Sequence, residues 1–441
     1  MSAIKDKDMK YNLHSWSAQA SLDPVVVTKA EGIYFWDENG KRYTDMSSQL
    51  VNSNLGHGNK AVIDAITEQI RNIPFMGPGF AMECRSDAAE AVVKASGFKD
   101  GAKVFFTNAG AESNENAIKI ARQYTGRQKI FSQYRCYHGS SAGAGMLTGE
   151  PRHFYNEPGG PGFVKYDGPY LYRAPKACSF ANYDEAADFY LELLENQILY
   201  EGPEQIAAIW LESVVGSNGV LIAPVRWYQG VRALCDKYGI LMVADEVMSG
   251  WYRTGRCFAF MNFGYEPDII TFAKGCTCGY VPLGGVIVKA DIAGFFDNTP
   301  LGCGLTYSAH PAGCAAAVAA LKEYERLDIE SKVAETGSIL ADILDGYVSV
   351  HPCVGEVRHI GLFSAIELVK SKDTKEPLVP FGKDPDGIMA KILSMLKTDG
   401  FWTYTHENMI LVCPPLVITA DELREAMEIM DRVLDAVDKM I

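Results

Sequence analysis

Two stretches decide how this chain folds: VADEVMSGWYRTG (Val243–Gly255) and PDIITFAKG (Pro267–Gly275). The first completes an apolar run, GILMVADEV, that closes on Asp245. The second is an apolar run that closes on Lys274 and meets a glycine. Short apolar runs bounded by turn residues read as buried strands. Asp245 and Lys274, 29 residues apart, therefore stand at the ends of two strands of one sheet. A lysine amine able to form a Schiff base, with an acid placed to keep a pyridine nitrogen protonated, is the pair that pyridoxal phosphate chemistry requires. Taken singly, each has a plainer reading, Lys274 as a strand-end lysine reaching solvent and Asp245 as a helix cap. Lys274 and Asp245 are the candidate catalytic residues.

The chain has 441 residues, more than one simple core accommodates, so two packed domains are expected. Hydrophobic residues make up 48% and charged residues 22%, the balance of an ordinary globular protein. A net charge of −14, spread along the chain, repels phosphate backbones and argues against a nucleic-acid partner. The N-terminus, MSAIKDKDMKYNLHSW, has no apolar core or small-residue cleavage site, and no stretch approaches bilayer-spanning length. No membrane association and a cytoplasmic location are expected. The eleven cysteines are scattered without a repeating spacing, which suits a reducing compartment. Cys276 and Cys278, one residue apart with no second Cys/His pair near them, make a poor zinc site and read as packing residues; no metal is expected.

Outward from the two decisive strands, the pattern alternates. Residues 25–51 hold short strands broken by Glu38-Asn39-Gly40, a hairpin signal, and from Asn59 the apolar period becomes helical. KVFFTNAG then leads into AESNENAIKIARQY, followed by KIFSQY, IAAIWLES, the helix VRWYQGVRALCDKY and the strand GGVIVKA. Apolar strands separated by helices predict an α/β fold with a mostly parallel sheet covered on both faces. Residues 151–200 open with a Pro/Gly/Tyr-rich excursion, and an Ala-rich helix after Pro311 leaves the sheet. The expected division is a large cofactor-binding domain over 59–325 and a smaller α+β domain built from both chain ends, 1–58 and 326–441.

The combined pattern around Asp245 and Lys274 resembles the signature of the class III (ω-type) aminotransferases, which fold as fold-type-I pyridoxal phosphate enzymes. Asn108-Ala109-Gly110, at the junction of a strand and a helix, leaves free amides where an anion is favoured. The family's phosphate loop is similar, which implies phosphate contacts from Gly110 and Ala111. Tyr137-His138-Gly139 resembles the family's aromatic-His-Gly, in which the aromatic ring stacks on the cofactor. The resemblance further places Val247 on the opposite ring face and Asp245 beneath the pyridine nitrogen. Glu212 stands where relatives have Glu-Pro, but Ser213 replaces the proline here; its carboxylate either closes over the ring's oxygen side or pairs with a basic residue. Met248 occupies a position where some relatives carry Gln. GLTYSAHP (304–311) is similar to a loop that reaches into the neighbouring subunit, which implies a homodimer or dimer of dimers with Thr306 on the partner's cofactor phosphate.

For substrate recognition, Ser140 and Leu411 occupy the positions where relatives place carboxylate-binding arginines. Arg152 and Arg358 are then the candidate anion binders, each equally readable as a structural arginine. HSWSAQA (14–20) and SSQLVNSNLGHG (47–58) resemble a narrower subgroup, the taurine:2-oxoglutarate aminotransferases. That resemblance implies a pocket lined by Trp16, with Gln49 or Val51 opposite. The expectation is a pyridoxal 5′-phosphate-dependent transaminase taking a short ω-amino acid or sulfonate, foremost taurine, as amine donor and a 2-oxo acid, foremost 2-oxoglutarate, as acceptor. The alternatives are a β-alanine, γ-aminobutyrate or other amine transaminase using pyruvate, an aminomutase or racemase of the same family, and a cofactor-binding protein without turnover.

Overall fold

The computed structural model describes residues 2–441 except 176, 177 and 179, so part of the excursion at 151–200 lies outside the described residues. Its centre is a seven-stranded sheet. From one edge to the other the strands are Lys103–Thr107, Gly284–Val288, Ile269–Phe272, Leu241–Asp245, Ile206–Glu212, Lys129–Gln133 and Phe163–Tyr166. All adjacent pairs are parallel except the two made by Gly284–Val288, which runs against both neighbours.

Side-chain alternation along these strands supplies two apolar layers. Ile209, Leu211, Met242, Ile270 and Ile287 join one core. Their neighbours Trp210, Val243, Ile269 and Val286 join the other. The helix Gly110–Thr125 covers the second layer through Ala117, Ile118 and Ala121. Val225–Tyr238 and Pro311–Arg326 cover the first. Every residue of Ile206–Glu212 is buried, and a fully buried aliphatic side chain contributes about 1.5–3 kcal/mol.

Both chain ends meet in smaller sheets. Tyr34–Asp37 and Arg42–Asp45 form the hairpin signalled by Glu38-Asn39-Gly40, with Gly40 at φ +78°. The strand Phe401–Trp402, from near the C-terminus, adds parallel to Arg42–Asp45. Val354–Ile360, Phe363–Ser371 and Met409–Val412 form a second, antiparallel sheet. Asn59 caps the helix Lys60–Asn72 by accepting from the Val62 amide. Among the described residues no helix is long and apolar enough to cross a membrane.

Candidate active site

Three adjacent strands end side by side, with Glu212 paired to Asp245 and Asp245 paired to Thr271. The chain runs on three residues and bends at Lys274, whose φ of +50° is uncommon for a residue with a side chain. This places Glu212, Asp245 and Lys274 on the wall of one cleft of about 1120 Å³ at the carboxyl ends of the strands. Burial lowers the Lys274 pKa, opposed by the carboxylates of Asp245 and Glu212, so its amine is more readily neutral than an exposed lysine.

Asp245 is held from three directions. Oδ1 accepts from the Val247 amide at 2.9 Å, while Oδ2 accepts from His138 Nδ1 at 2.7 Å and Asn114 Nδ2 at 2.8 Å. Burial disfavours the His138 imidazolium, but Cys136 and Asp245 outweigh it and raise the pKa. Asn114 was not singled out in the sequence. Its Nδ2 also donates to the His138 carbonyl, and its Oδ1 accepts from Trp210 Nε1 and Thr271 Oγ1, both at 3.0 Å. The signal was there: an Asn inside AESNENAIKI, where a helix gains nothing from it.

At the other end of the cleft, Gly110 opens the sixteen-residue helix Gly110–Thr125. A Cβ on Gly110 would sit 2.7 Å from Val247 Cγ1, so only glycine allows this approach of helix terminus and valine. Ala111 and Gly139 are comparably close, since a Cβ on Gly139 would lie 2.6 Å from that of Ala111. Tyr137 lines the cleft, and its amide donates to Glu212 Oε1 at 2.8 Å; Glu212 Oε2 accepts from the Gly216 amide at the same distance. Burial pushes the Glu212 pKa up to about 7, against the opposing pull of His138. Ser213, in place of the family's proline, bonds Glu246 and Tyr265 and faces away from the cleft residues.

The expected substrate contacts divide. Trp16 and Arg152 line the cleft. The Arg152 guanidinium lies 3.8 Å from the Tyr137 ring centroid and 5.5 Å from that of Trp16. Gln49 does not line it: Nε2 donates to buried Asp45 at 2.8 Å, and Leu50 and Asn52 form that wall instead. Val51 is buried in the core. Arg358 is also not free to take a substrate anion. It is buried, paired with Glu356 and Glu367, and donates from Nε to the Gly219 carbonyl at 2.6 Å. Thr306 is exposed and lies outside this chain's own cleft. Cys276 and Cys278 are buried and thiol-bonded to Leu283 O and to Tyr324 and Gly275 O.

The family model described as aminotransferase class-III matches residues 16–434. The chain is similar to the crystal structure of a taurine:2-oxoglutarate aminotransferase from Bifidobacterium kashiwanohense in complex with PLP and glutamate. Identity is 48%, the TM-score is 0.95, and 99% of this chain and 98% of that one are covered. It is 32% identical to a probable γ-aminobutyrate transaminase 4 of Oryza sativa subsp. japonica, over 99% of this chain and 92% of the relative. It is 30% identical to a taurine–pyruvate aminotransferase of Bilophila wadsworthia, over 98% and 97%.

Proposed function

Because the chain belongs to the class-III aminotransferases, we propose that this transaminase takes a short ω-amine with an anionic tail, foremost taurine, and passes its amino group to 2-oxoglutarate. The observation that carries this reading is Arg152, the single arginine on the cleft wall among the described residues, seated against Tyr137 and Trp16. A taurine:2-oxoglutarate aminotransferase among the similar structures supports it.

Pyridoxal 5′-phosphate is the cofactor, and the residues present fit it. Gly110 opens a helix N-terminus with a cradle that a Cβ would fill, suited to a phosphate. Val247 and Tyr137 offer the two faces of a ring, Asp245 offers a carboxylate for its nitrogen, and Lys274 an amine. Buried His138 Nε2, unpartnered among the described residues, completes the polar floor. When bound, the cofactor supplies an electron sink for the carbanion formed at the substrate carbon.

The chain's own part is to hold, orient and move protons. Lys274 anchors the cofactor. Once displaced by the donor, its readily neutral amine takes the proton from the carbon bearing the amino group, and in the second half-reaction returns one to the oxo acid's carbon. Asp245, fixed by His138, Asn114 and the Val247 amide, would be the carboxylate that pairs with the ring nitrogen. Glu212, pinned by two amides, would border the ring's oxygen side. Arg152 binds the anionic tail.

The site is shared in a homodimer in this reading. Thr306 is exposed, beside Tyr307, which packs edge-on against exposed Phe75 at 5.7 Å, an apolar surface suited to a second copy. The free cysteines fit a cytoplasmic location.

The test is a matrix of taurine, β-alanine, γ-aminobutyrate and an uncharged amine, each with pyruvate and with 2-oxoglutarate. Taurine with 2-oxoglutarate should give the highest kcat/KM. Arg152→Ala should lower it roughly ten- to a hundredfold, the loss of about 1.5–3 kcal/mol of charge-assisted bonding. Preference for the uncharged amine or for pyruvate would reject these substrates.

A further inference from the structure

The guanidinium at the anion-binding end of the cleft is free on its end edge alone. Arg152 Nε donates to Glu150, which is 5% exposed, and Nη2 donates to Ser217 Oγ at 3.0 Å. Three of its five N–H groups, two on Nη1 and one on Nη2, have no hydrogen-bond partner among the described residues. Arginine grips a carboxylate best through two parallel N–H···O bonds in one plane. Here Glu150 occupies Nε on the side edge, and the end edge, Nη1 with the second hydrogen of Nη2, remains open to two oxygens of an anion.

Ser217 supplies a second donor. Its oxygen accepts from Arg152, so its hydroxyl hydrogen is left over, and the side chain lines the cleft. The loop carrying it is tied at every other position. The Gly216 amide donates to Glu212 at 2.8 Å, Asn218 pairs with His406 at 3.1 Å, and the Gly219 carbonyl accepts from Arg358 at 2.6 Å. The buried cation that sequence reasoning offered as an anion binder thus fixes the serine's loop from behind. Ser217 is thereby preorganised rather than mobile.

We infer that Ser217, with the free end edge of Arg152, forms a specificity-determining donor set that favours the tetrahedral sulfonate of an ω-amino sulfonate over the planar carboxylate of the equivalent ω-amino acid. The end edge of the fork can hold two oxygens of either anion; a sulfonate turns a third oxygen out of that plane, where the Ser217 hydroxyl can donate to it, and a carboxylate has no third oxygen. This rests on the substrate reading above.

The experiment compares taurine with β-alanine, which differ only in the anion, at fixed 2-oxoglutarate. Ser217→Ala should lower kcat/KM for taurine about tenfold and for β-alanine less than about threefold, the loss of one charge-assisted hydrogen bond. Ser217→Thr, which keeps the hydroxyl, should restore the ratio. Glu150→Ala, which releases the guanidinium's side edge, should move the ratio towards β-alanine. Calorimetry with ethanesulfonate and propanoate, which cannot react, reads the subsite without turnover: ethanesulfonate should bind more tightly to the wild-type holoenzyme, and Ser217→Ala should remove the difference. Equal losses for both donors in Ser217→Ala, or equal binding of the two anions by the wild type, would overturn the inference. A wild-type enzyme that ignores both anionic amines refutes the substrate reading instead, and the binding comparison still decides the role of Ser217.

Discussion

Asn114 Nδ2 donates to Asp245 Oδ2 over 2.8 Å, and the same amide reaches His138, Trp210 and Thr271. All four of its hydrogen-bonding positions are used. Asn114 therefore joins the helix Gly110–Thr125, whose N-terminus is proposed to hold the phosphate, to the carboxylate proposed to face the ring nitrogen.

Removing that amide should loosen both ends at once. Asn114→Leu leaves buried donors and an acceptor unpaired, at about 1–3 kcal/mol of stability. Cofactor affinity should fall about tenfold or more, since Asp245 loses one of three fixed donors. Thermal melts and an absorbance titration with pyridoxal phosphate check the two effects. Unchanged cofactor affinity would reduce Asn114 to a packing residue.

Gly110→Ala should fold and yet bind cofactor poorly. The added Cβ would meet Val247 at 2.7 Å, so either the helix terminus or the valine must move, and both line the cleft proposed to hold the cofactor. The same absorbance titration measures this. Wild-type affinity in the variant would remove the close approach from the account.

The cross-subunit role of Thr306 has a genetic test. A Lys274→Ala subunit and a Thr306→Ala subunit, mixed and exchanged, should regain partial activity. One of the two sites in each hybrid then has an intact Lys274 and an intact Thr306 from opposite chains. Demonstrated exchange without activity would contradict the assignment.

The sequence made Asp245 and Lys274 legible because each ends a continuous apolar run, and strand ends place side chains in a cleft without any long-range information. The start of a helix at Asn59 and the hairpin at Glu38-Asn39-Gly40 were legible for the same local reason. Arg358 was misread because its partners, Glu367 and the Gly219 carbonyl, come from distant segments. Gln49 was misread because Asp45, four residues earlier, captures its amide once the loop turns left-handed at Gln49, φ +59°. The direction of Gly284–Val288 could not be read either. A strand buried on both faces has the same apolar pattern whichever way it runs.

The helix Ile329–Val350 packs against the C-terminal helix Ala420–Asp438 through a titratable link. His351 Nδ1 is 2.8 Å from Asp438 Oδ2 and 3.9 Å from Asp435, and Nε2 is 3.0 Å from Asp431 Oδ1. Burial opposes the imidazolium, but the carboxylates outweigh it and raise the pKa above 6.5. The resulting stability is fully present below the unfolded-state pKa of about 6.5. It is lost as pH rises through the higher folded-state value. The Tm difference between wild type and His351→Gln should be largest in mild acid and shrink at higher pH. A difference that grows with pH would contradict the link.

The most direct measurement is borohydride reduction of the holoenzyme, followed by peptide mapping of the pyridoxyl group, with and without prior exposure to taurine in the absence of any oxo acid. The account predicts a single labelled lysine, Lys274, and loss of that label after taurine, because the donor displaces the lysine and leaves the cofactor aminated. Label on another lysine, such as half-buried Lys165, whose pKa burial lowers to about 8, or a Lys274 label that taurine leaves untouched, would contradict it.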